Sequence, residues 1–424
     1  MKFVLSSYGT RGEVEPCAAV GLELLRRGHE VCMAVPRDLV GFVESAGLAT
    51  VAYKVDSQTQ IEKYLHLWRH IYFSRNLWRI RDANRLWREQ EEIGIQCLAE
   101  TRATLLWLAE GADLLLSGVN FEQPAAMVAE HYNIPLAVLH YGPARANGQM
   151  VPFLPSPLAR SAMTAYEWLV WRLTKNYEDA QRRELGLTKA RAPHSRRMAE
   201  RGSLEIQAYD DVCFPGLAAE WAKYEGQRPF VGTLTMALPT DADAEVLSWI
   251  AAGTPPIFFG FGSMLVESPA DTLAMISAAC AQLGERALVC SAGSDFSHVP
   301  QPDHVKVVGA VNYAEIFPSC RAVVHHGSIG TTAAGLRAGV PTLILWTIRD
   351  QVILGAQVKR LKVGTSRRLS TATEKSLVAD LRIILAPQYA ARAREIASRM
   401  TTPAESVAAT VDLLENSARL NRVV

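Results

Sequence analysis

The residues able to do chemistry collect at glycine-bearing turns. The longest such stretch, His325-His326-Gly327-Ser328-Ile329-Gly330-Thr331-Thr332, follows apolar Ala322-Val323-Val324 and precedes helix-forming Ala333 to Ala338. The run reads as strand, turn and helix start. The first N–H groups of a helix lack intrahelical partners and the helix dipole adds about half a positive charge there, so the arrangement binds anions such as phosphate. Gly327 and Gly330 allow close backbone approach, Ser328, Thr331 and Thr332 bring hydroxyls, and His325 or His326 a ring N–H. A second strand, Pro341 to Trp346, leads to Asp350-Gln351, an acid beside an amide that suits a hydroxyl-rich ligand. Two further turns follow strands: Tyr8-Gly9-Thr10-Arg11-Gly12 after Lys2 to Ser6, leading to Glu13, and Gly260-Phe261-Gly262-Ser263 after Ile257-Phe258-Phe259.

The elements around these turns alternate. Glu13, Glu15 and Pro16 open a helix that Gly28 ends; Glu30 to Pro36 is the next strand and Leu39 to Ala46 the next helix, the βαβ opening of a doubly wound sheet. Ala112 to Leu116, Pro135 to His140, Leu204 to Ala208 and Pro229 to Val231 read as further strands, and Ser161 to Leu185 as a helix. Between Tyr53 and Trp107, aromatics including Trp68, Phe73 and Trp78 interleave with arginines at helical spacing, an aromatic and basic face for an apolar acceptor or an anionic membrane surface, or else a core with a solvated side. Ala287 to Cys290, Val305 to Val308 and Lys362 to Arg368 continue a second sheet. The expected division is residues 1–235, a linker at 236–245 whose Asp241-Ala242-Asp243 is solvated, a second domain at 246–395, and a final helix at 396–424 returning toward the first domain.

Composition narrows the class. The 424 residues, 49% hydrophobic, suffice for two or three cored domains, and 44 basic against 43 acidic residues argue against a nucleic-acid partner. Seven cysteines without CxxC spacing read as reduced and mostly core. The short apolar start and the lack of a bilayer-length run lead us to expect a cytoplasmic protein.

The order His325, Gly327, Gly330-Thr331, strand, Asp350-Gln351 resembles the signature of the family 1 glycosyltransferases of the GT-B fold. The loop Tyr8 to Pro16 is similar to that of the actinobacterial members that decorate glycopeptide antibiotics and mycobacterial glycolipids. The resemblance spans essentially the whole chain. It implies two Rossmann-like α/β domains with a donor cleft between them, and metal-independent transfer of a hexose or deoxyhexose, such as rhamnose, from a TDP- or UDP-sugar to a lipophilic glycolipid, glycopeptide or natural product, with no cofactor. By the same resemblance Glu13 is the general base, standing where the subgroup has Asp. Ser263, His325, His326, Gly327, Ser328, Gly330, Thr331 and Thr332 hold the diphosphate, Asp350 and Gln351 the sugar, and the loop at Val311 the nucleobase. Thr10, Trp68, Phe73, Trp78, Phe121 and Tyr141 face the acceptor. The helix start beside Glu13 is expected to favour its ionised form.

Four positions depart from the pattern: Glu13 for Asp, Ile329 where a small residue is usual, Val352 after Asp-Gln, and Arg349 before it. They keep two rivals open, a degenerate binding protein of the same fold and a sugar-nucleotide epimerase.

Overall fold

The computed structural model describes residues 1–54, 56, 80–150, 154–224, 226–236, 238–262, 268–291, 299 and 301–423, with backbone alone for 80–93, 349–350 and 422–423. They form two compact units: Met1–Asp211, Pro215–Met236 and Pro403–Val424 in one, Val212–Phe214 and Ala237–Thr402 in the other.

In the first unit, strands β1 (Lys2–Ser6), β2 (Glu30–Pro36), β3 (Thr50–Tyr53), β4 (Leu114–Gly118), β5 (Leu136–His140) and β6 (Leu204–Gln207) make a parallel sheet ordered β3-β2-β1-β4-β5-β6. In the second, β7 (Ile257–Gly260), β8 (Ala287–Cys290), β9 (Val305–Val308), β10 (Ala322–His325), β11 (Thr342–Trp346) and β12 (Gly364–Arg368) are ordered β12-β11-β10-β7-β8-β9. Each is the Rossmann order, reversing direction between β1 and β4 and between β7 and β10. Ligands of such sheets sit at the carboxyl ends of the strands at that reversal, where the turns after β1, β7 and β10 lie.

The inner strands of each sheet, such as β1, β4, β7 and β10, are nearly continuous apolar runs because helices cover both faces. Along β1, Phe3 and Leu5 enter one buried cluster and Val4 the cluster on the other face. Helix Arg11–Arg26 packs on the first of these, joined by the last helix, Pro403–Val423, whose Val411, Leu414 and Ala418 are fully buried. Arg27 Nη1 donates to Asp412 Oδ1 at 2.6 Å, and His29 Nε2 lies 2.8 Å from Glu415 Oε1, so the last helix is both packed and ion-paired to the first unit. Among the described residues no helix is long and apolar enough to cross a membrane.

Three expectations are corrected. Pro229 to Val231 forms no strand, only an isolated bridge from Phe230 to Gln207, since Pro229 has no N–H for a ladder. Asp243 is not solvated: it is 5% exposed and accepts from Thr240 N at 2.6 Å, Thr240 Oγ1 at 2.8 Å and Asn312 N at 2.8 Å. It ties the start of helix Asp243–Ala251 to the loop after β9. The helix expected from Ser161 starts at Ser156, where Pro157 is tolerated in the first turn.

Leu414→Ala should lower the stability of the first unit by about 2–5 kcal/mol in urea unfolding, the cost of a cavity at a fully buried leucine. A change under about 0.5 kcal/mol would mean that the last helix does not belong to that core.

Candidate functional site

After β1 the chain turns through Ser7, Tyr8 and Gly9 to Thr10, the N-cap of helix Arg11–Arg26. Thr10 Oγ1 accepts from Gly12 N at 3.2 Å, and Glu13 Oε2 accepts from both Thr10 N and Thr10 Oγ1 at 2.6 Å. This capping box satisfies the helix start from within. Glu13 Oε1 accepts from no other residue among those described. Gly9 has φ +136°, and a Cβ there would lie 2.8 Å from Glu13 Oε2, so only glycine fits beneath the carboxylate. The Glu13 carbonyl is held too: Ser7 Oγ and Tyr141 Oη each donate to it at 2.8 Å. Gly118, closing β4, leaves room for that phenol, since a Cβ would sit 2.9 Å from Tyr141 Oη.

Electrostatics at Glu13 run opposite to expectation. Burial raises its carboxyl above the ordinary glutamate range, and the two bonds from Thr10 lower it by less. The half-buried carboxylate folds back against the turn, and desolvation outweighs the bonds from Thr10. Phe121, expected to face the acceptor, is 8% exposed with its ring 4.4 Å from that of Tyr8, and Asn120 Nδ2 donates to the Tyr8 carbonyl at 3.2 Å. Both residues brace the turn from below.

In the second unit β10 delivers the histidine pair. His325 is fully buried: its Nδ1 accepts from Gly327 N at 3.0 Å and its Nε2 lies 3.1 Å from Thr342 Oγ1, which donates to the Val323 carbonyl at 3.1 Å. Burial, then the neighbouring His326, pushes its pKa down to about 3. The expected ring contact with a diphosphate is therefore replaced by an internal one, because the strand's alternation turns this side chain into the sheet. His326, pushed down to about 4 by burial, packs against Gly262, where φ is +59° and a Cβ would meet His326 Cε1 at 2.6 Å.

Ser328 caps helix Ile329–Arg337: its Oγ accepts from Thr331 N at 3.3 Å and donates to Thr331 Oγ1 at 2.9 Å, while Thr332 Oγ1 donates to the Ser328 carbonyl at 2.6 Å. All three hydroxyls are engaged by the cap. The N–H groups of Ile329 and Gly330 have no partner among the described residues, and a Cβ on Gly330 would meet nothing within 4 Å. Gln351, in the first turn of helix Arg349–Arg360, is 7% exposed, and its Oε1 accepts from Thr347 N at 2.7 Å, Thr347 Oγ1 at 3.1 Å and Ile348 N at 3.3 Å. Its oxygen serves the helix start, leaving only its amide N–H groups for a ligand. Asp350 precedes it on the same helix, with backbone alone described. Val311, 8% exposed, sits beside Asn312 in a core cluster. Ser263, Trp68, Phe73 and Trp78 lie outside the described residues.

One feature has no local sequence signal. Arg145 binds Glu122 through both terminal nitrogens at 2.7 and 2.8 Å and Glu205 through Nε at 2.5 Å; Arg228 Nε meets Glu205 at 2.5 Å and His194 Nε2 meets Glu122 at 2.9 Å. Burial works against ionisation of Glu122, but Arg145 and His194 outweigh it and hold the carboxyl well below its ordinary range. The network stiffens the loop after β5, which begins with Tyr141.

Two parallel sheets of Rossmann order, each with a glycine turn at its point of reversal, define a GT-B architecture. A family model described as the glycosyltransferase family 28 N-terminal domain matches residues 3–99, and the C-terminal domain of erythromycin biosynthesis protein CIII-like proteins matches residues 280–413. An uncharacterized glycosyltransferase of Mycobacterium tuberculosis is 62% identical over 426 residues, covering 100% of both chains. A sterol 3-beta-glucosyltransferase of Arabidopsis thaliana is 26% identical, covering 97% of this chain and 67% of that one. The crystal structure of the glycosyltransferase VinC in complex with DTDP shares the fold, with a TM-score of 0.66 at 18% identity, over 98% of this chain and 100% of that one. The chain belongs to the GT-B glycosyltransferases.

Gly327→Ala combines a φ of +96° with a Cβ 2.8 Å from Ile344 Cγ2, and should cost about 1–3 kcal/mol in unfolding. A neutral result would show that the turn relaxes freely. Thr10→Val removes the hydroxyl that lowers the Glu13 carboxyl, so carboxyl-detected NMR should find Glu13 titrating higher than in the parent; an unchanged or lower value would contradict the capping geometry.

Proposed function

We propose that this glycosyltransferase is inverting and moves a hexose or deoxyhexose from a TDP- or UDP-sugar to a hydroxyl of a lipophilic acceptor. In this reading it works at the inner face of the plasma membrane. The observation that carries the reading is Glu13, a carboxyl raised by burial at the point of reversal of the first sheet, with Oε2 bound to Thr10 and Oε1 available. A raised pKa makes its carboxylate a stronger base than an exposed one.

The acceptor oxygen attacks the anomeric carbon and gives its proton to Glu13 Oε1, while the bond from that carbon to the phosphate oxygen breaks. With Glu13 as base and the acceptor oxygen as the nucleophile, the transfer is a single displacement, which inverts the centre. Charge on the departing diphosphate is met by the N–H groups of Ile329 and Gly330 at the helix start, with Gly327, Ser328, Thr331, Thr332, Ser263 and His326 around it. His325 acts one step back, holding the turn through Gly327 N. Asp350 and the Gln351 amide N–H groups take sugar hydroxyls, the Val311 loop takes the base, and Thr10, Trp68, Phe73, Trp78 and Tyr141 form the acceptor side, with buried Phe121 bracing the turn beneath it. TDP in the VinC complex and the sterol acceptor of the plant relative support the two substrate classes.

A degenerate binder gains from one observation: the Gln351 oxygen is spent on the backbone, so fewer sugar contacts remain than the motif suggests. Glu13→Gln separates the readings, because the amide still accepts from Thr10 but cannot take a proton. Transfer from TDP- or UDP-hexose should fall by about a hundredfold or more while calorimetric TDP binding is kept. In the parent, kcat/KM should rise with pH through an apparent pKa above the ordinary glutamate range, a limb missing from the variant. Full activity in Glu13→Gln would remove Glu13 from the chemistry.

A further inference from the structure

Helix Ser156–Glu184 carries a strip that is left exposed among the described residues. Leu158, Tyr166, Leu169 and Leu173 are 59%, 70%, 58% and 76% exposed, at spacings that put them on one side of a helix with Ala162 and Ala165 between them. Of the ten large apolar side chains exposed among the described residues, six fall within 154–173; the other four are scattered. A contiguous patch, unlike single exposed apolar residues, marks a surface that meets something.

The rest of the helix is firmly held. Trp171 is buried with Nε1 donating to Glu178 Oε2 at 3.0 Å, Arg182 grips Glu130 with two bonds of 2.7 Å, and Tyr177 Oη donates to the Ile95 carbonyl at 2.8 Å. Near its start, Arg160 Nε bonds Glu220 at 2.8 Å. The strip is thus the outward side of an anchored helix.

Charge selects the occupant. Over 156–176 the helix has three cationic side chains and one acid, Glu167; Arg160 is paired with Glu220 and Lys175 with Asp179, so Arg172 is the cation left without an ion pair among the described residues. Glu167 lies on the side opposite the strip, bonded to Ser195. Arg172 borders the strip, is exposed, and has no carboxylate partner among the described residues. An apolar strip without acids and edged by a cation matches an anionic bilayer interface, where leucines enter the acyl boundary and arginines meet phosphates.

We propose that the Leu158 to Leu173 strip docks this enzyme on an anionic lipid surface. The inference rests on the membrane-surface clause of the proposed function and names the residues that make the contact.

The test is flotation of the full chain with phosphatidylcholine vesicles, with and without phosphatidylglycerol. The parent should float with the anionic vesicles only. Leu169→Glu with Leu173→Glu should weaken that binding by about tenfold or more, with Tm and TDP binding unchanged, and Arg172→Glu should weaken it in part. The proposal is overturned if the parent does not float, if it floats equally with neutral vesicles, or if the double variant floats like the parent. It is also overturned if sedimentation velocity shows a parent dimer that the double variant splits, which would assign the strip to a second copy. Flotation without TDP binding would sink the donor reading and leave the lipid surface standing, so the two claims fail separately.

Discussion

A helix that starts at the carboxyl end of a parallel strand brings several N–H groups to one edge of the sheet without partners, and that constraint shapes both glycine turns. The fold must either satisfy these donors from its own side chains or leave them for a ligand. In the first unit it satisfies most of them: Gly12 N donates to Thr10 Oγ1 and Glu13 N to the Thr10 carbonyl, Glu13 closes the capping box, and the chain crosses beneath it at Gly9. In the second it satisfies only part: Ser328 takes Thr331 N, while the N–H groups of Ile329 and Gly330 have no partner among the described residues. The difference matches what the proposed mechanism asks of each turn, a proton to be managed at one and a diphosphate at the other.

Glu13 shows how structural and chemical roles share one side chain. Its two oxygens are not equivalent: Oε2 belongs to the helix start, and Oε1, which accepts from no other residue among those described, is the one the proposed mechanism uses. The bonds that fix the carboxylate also oppose its rise in pKa, yet burial prevails. The backbone behind it is pinned by Ser7 and Tyr141, whose loop is stiffened by the buried Glu122, Arg145 and Glu205 cluster. A base held this way needs little reorganisation when substrate arrives.

Most strands are readable in the sequence because burial on both faces demands unbroken apolar runs such as Leu114-Leu115-Leu116 and Ile257-Phe258-Phe259. The edge strand β3 escapes, since Thr50-Val51-Ala52-Tyr53 is short and only Tyr53 is buried. The turns and their glycines are readable too, and the backbone bears out the need for glycine at Gly9 and Gly327. What a motif cannot show is direction. His325 ends its strand inside the fold and His326 just beyond it is buried against Gly262, and Gln351 spends its oxygen on a helix start that spacing alone does not reveal. The ionic cluster is invisible for a different reason, since its members come from five separate stretches and meet only in the fold.

The central claim is that the helix start at Ile329 and Gly330 receives the diphosphate of the sugar donor. Amide-detected NMR of the labelled protein during TDP titration tests it most directly. The account predicts that the amides of Ile329 and Gly330 shift most, in step with saturation. Saturating TDP that leaves these two amides unmoved while others shift would contradict it.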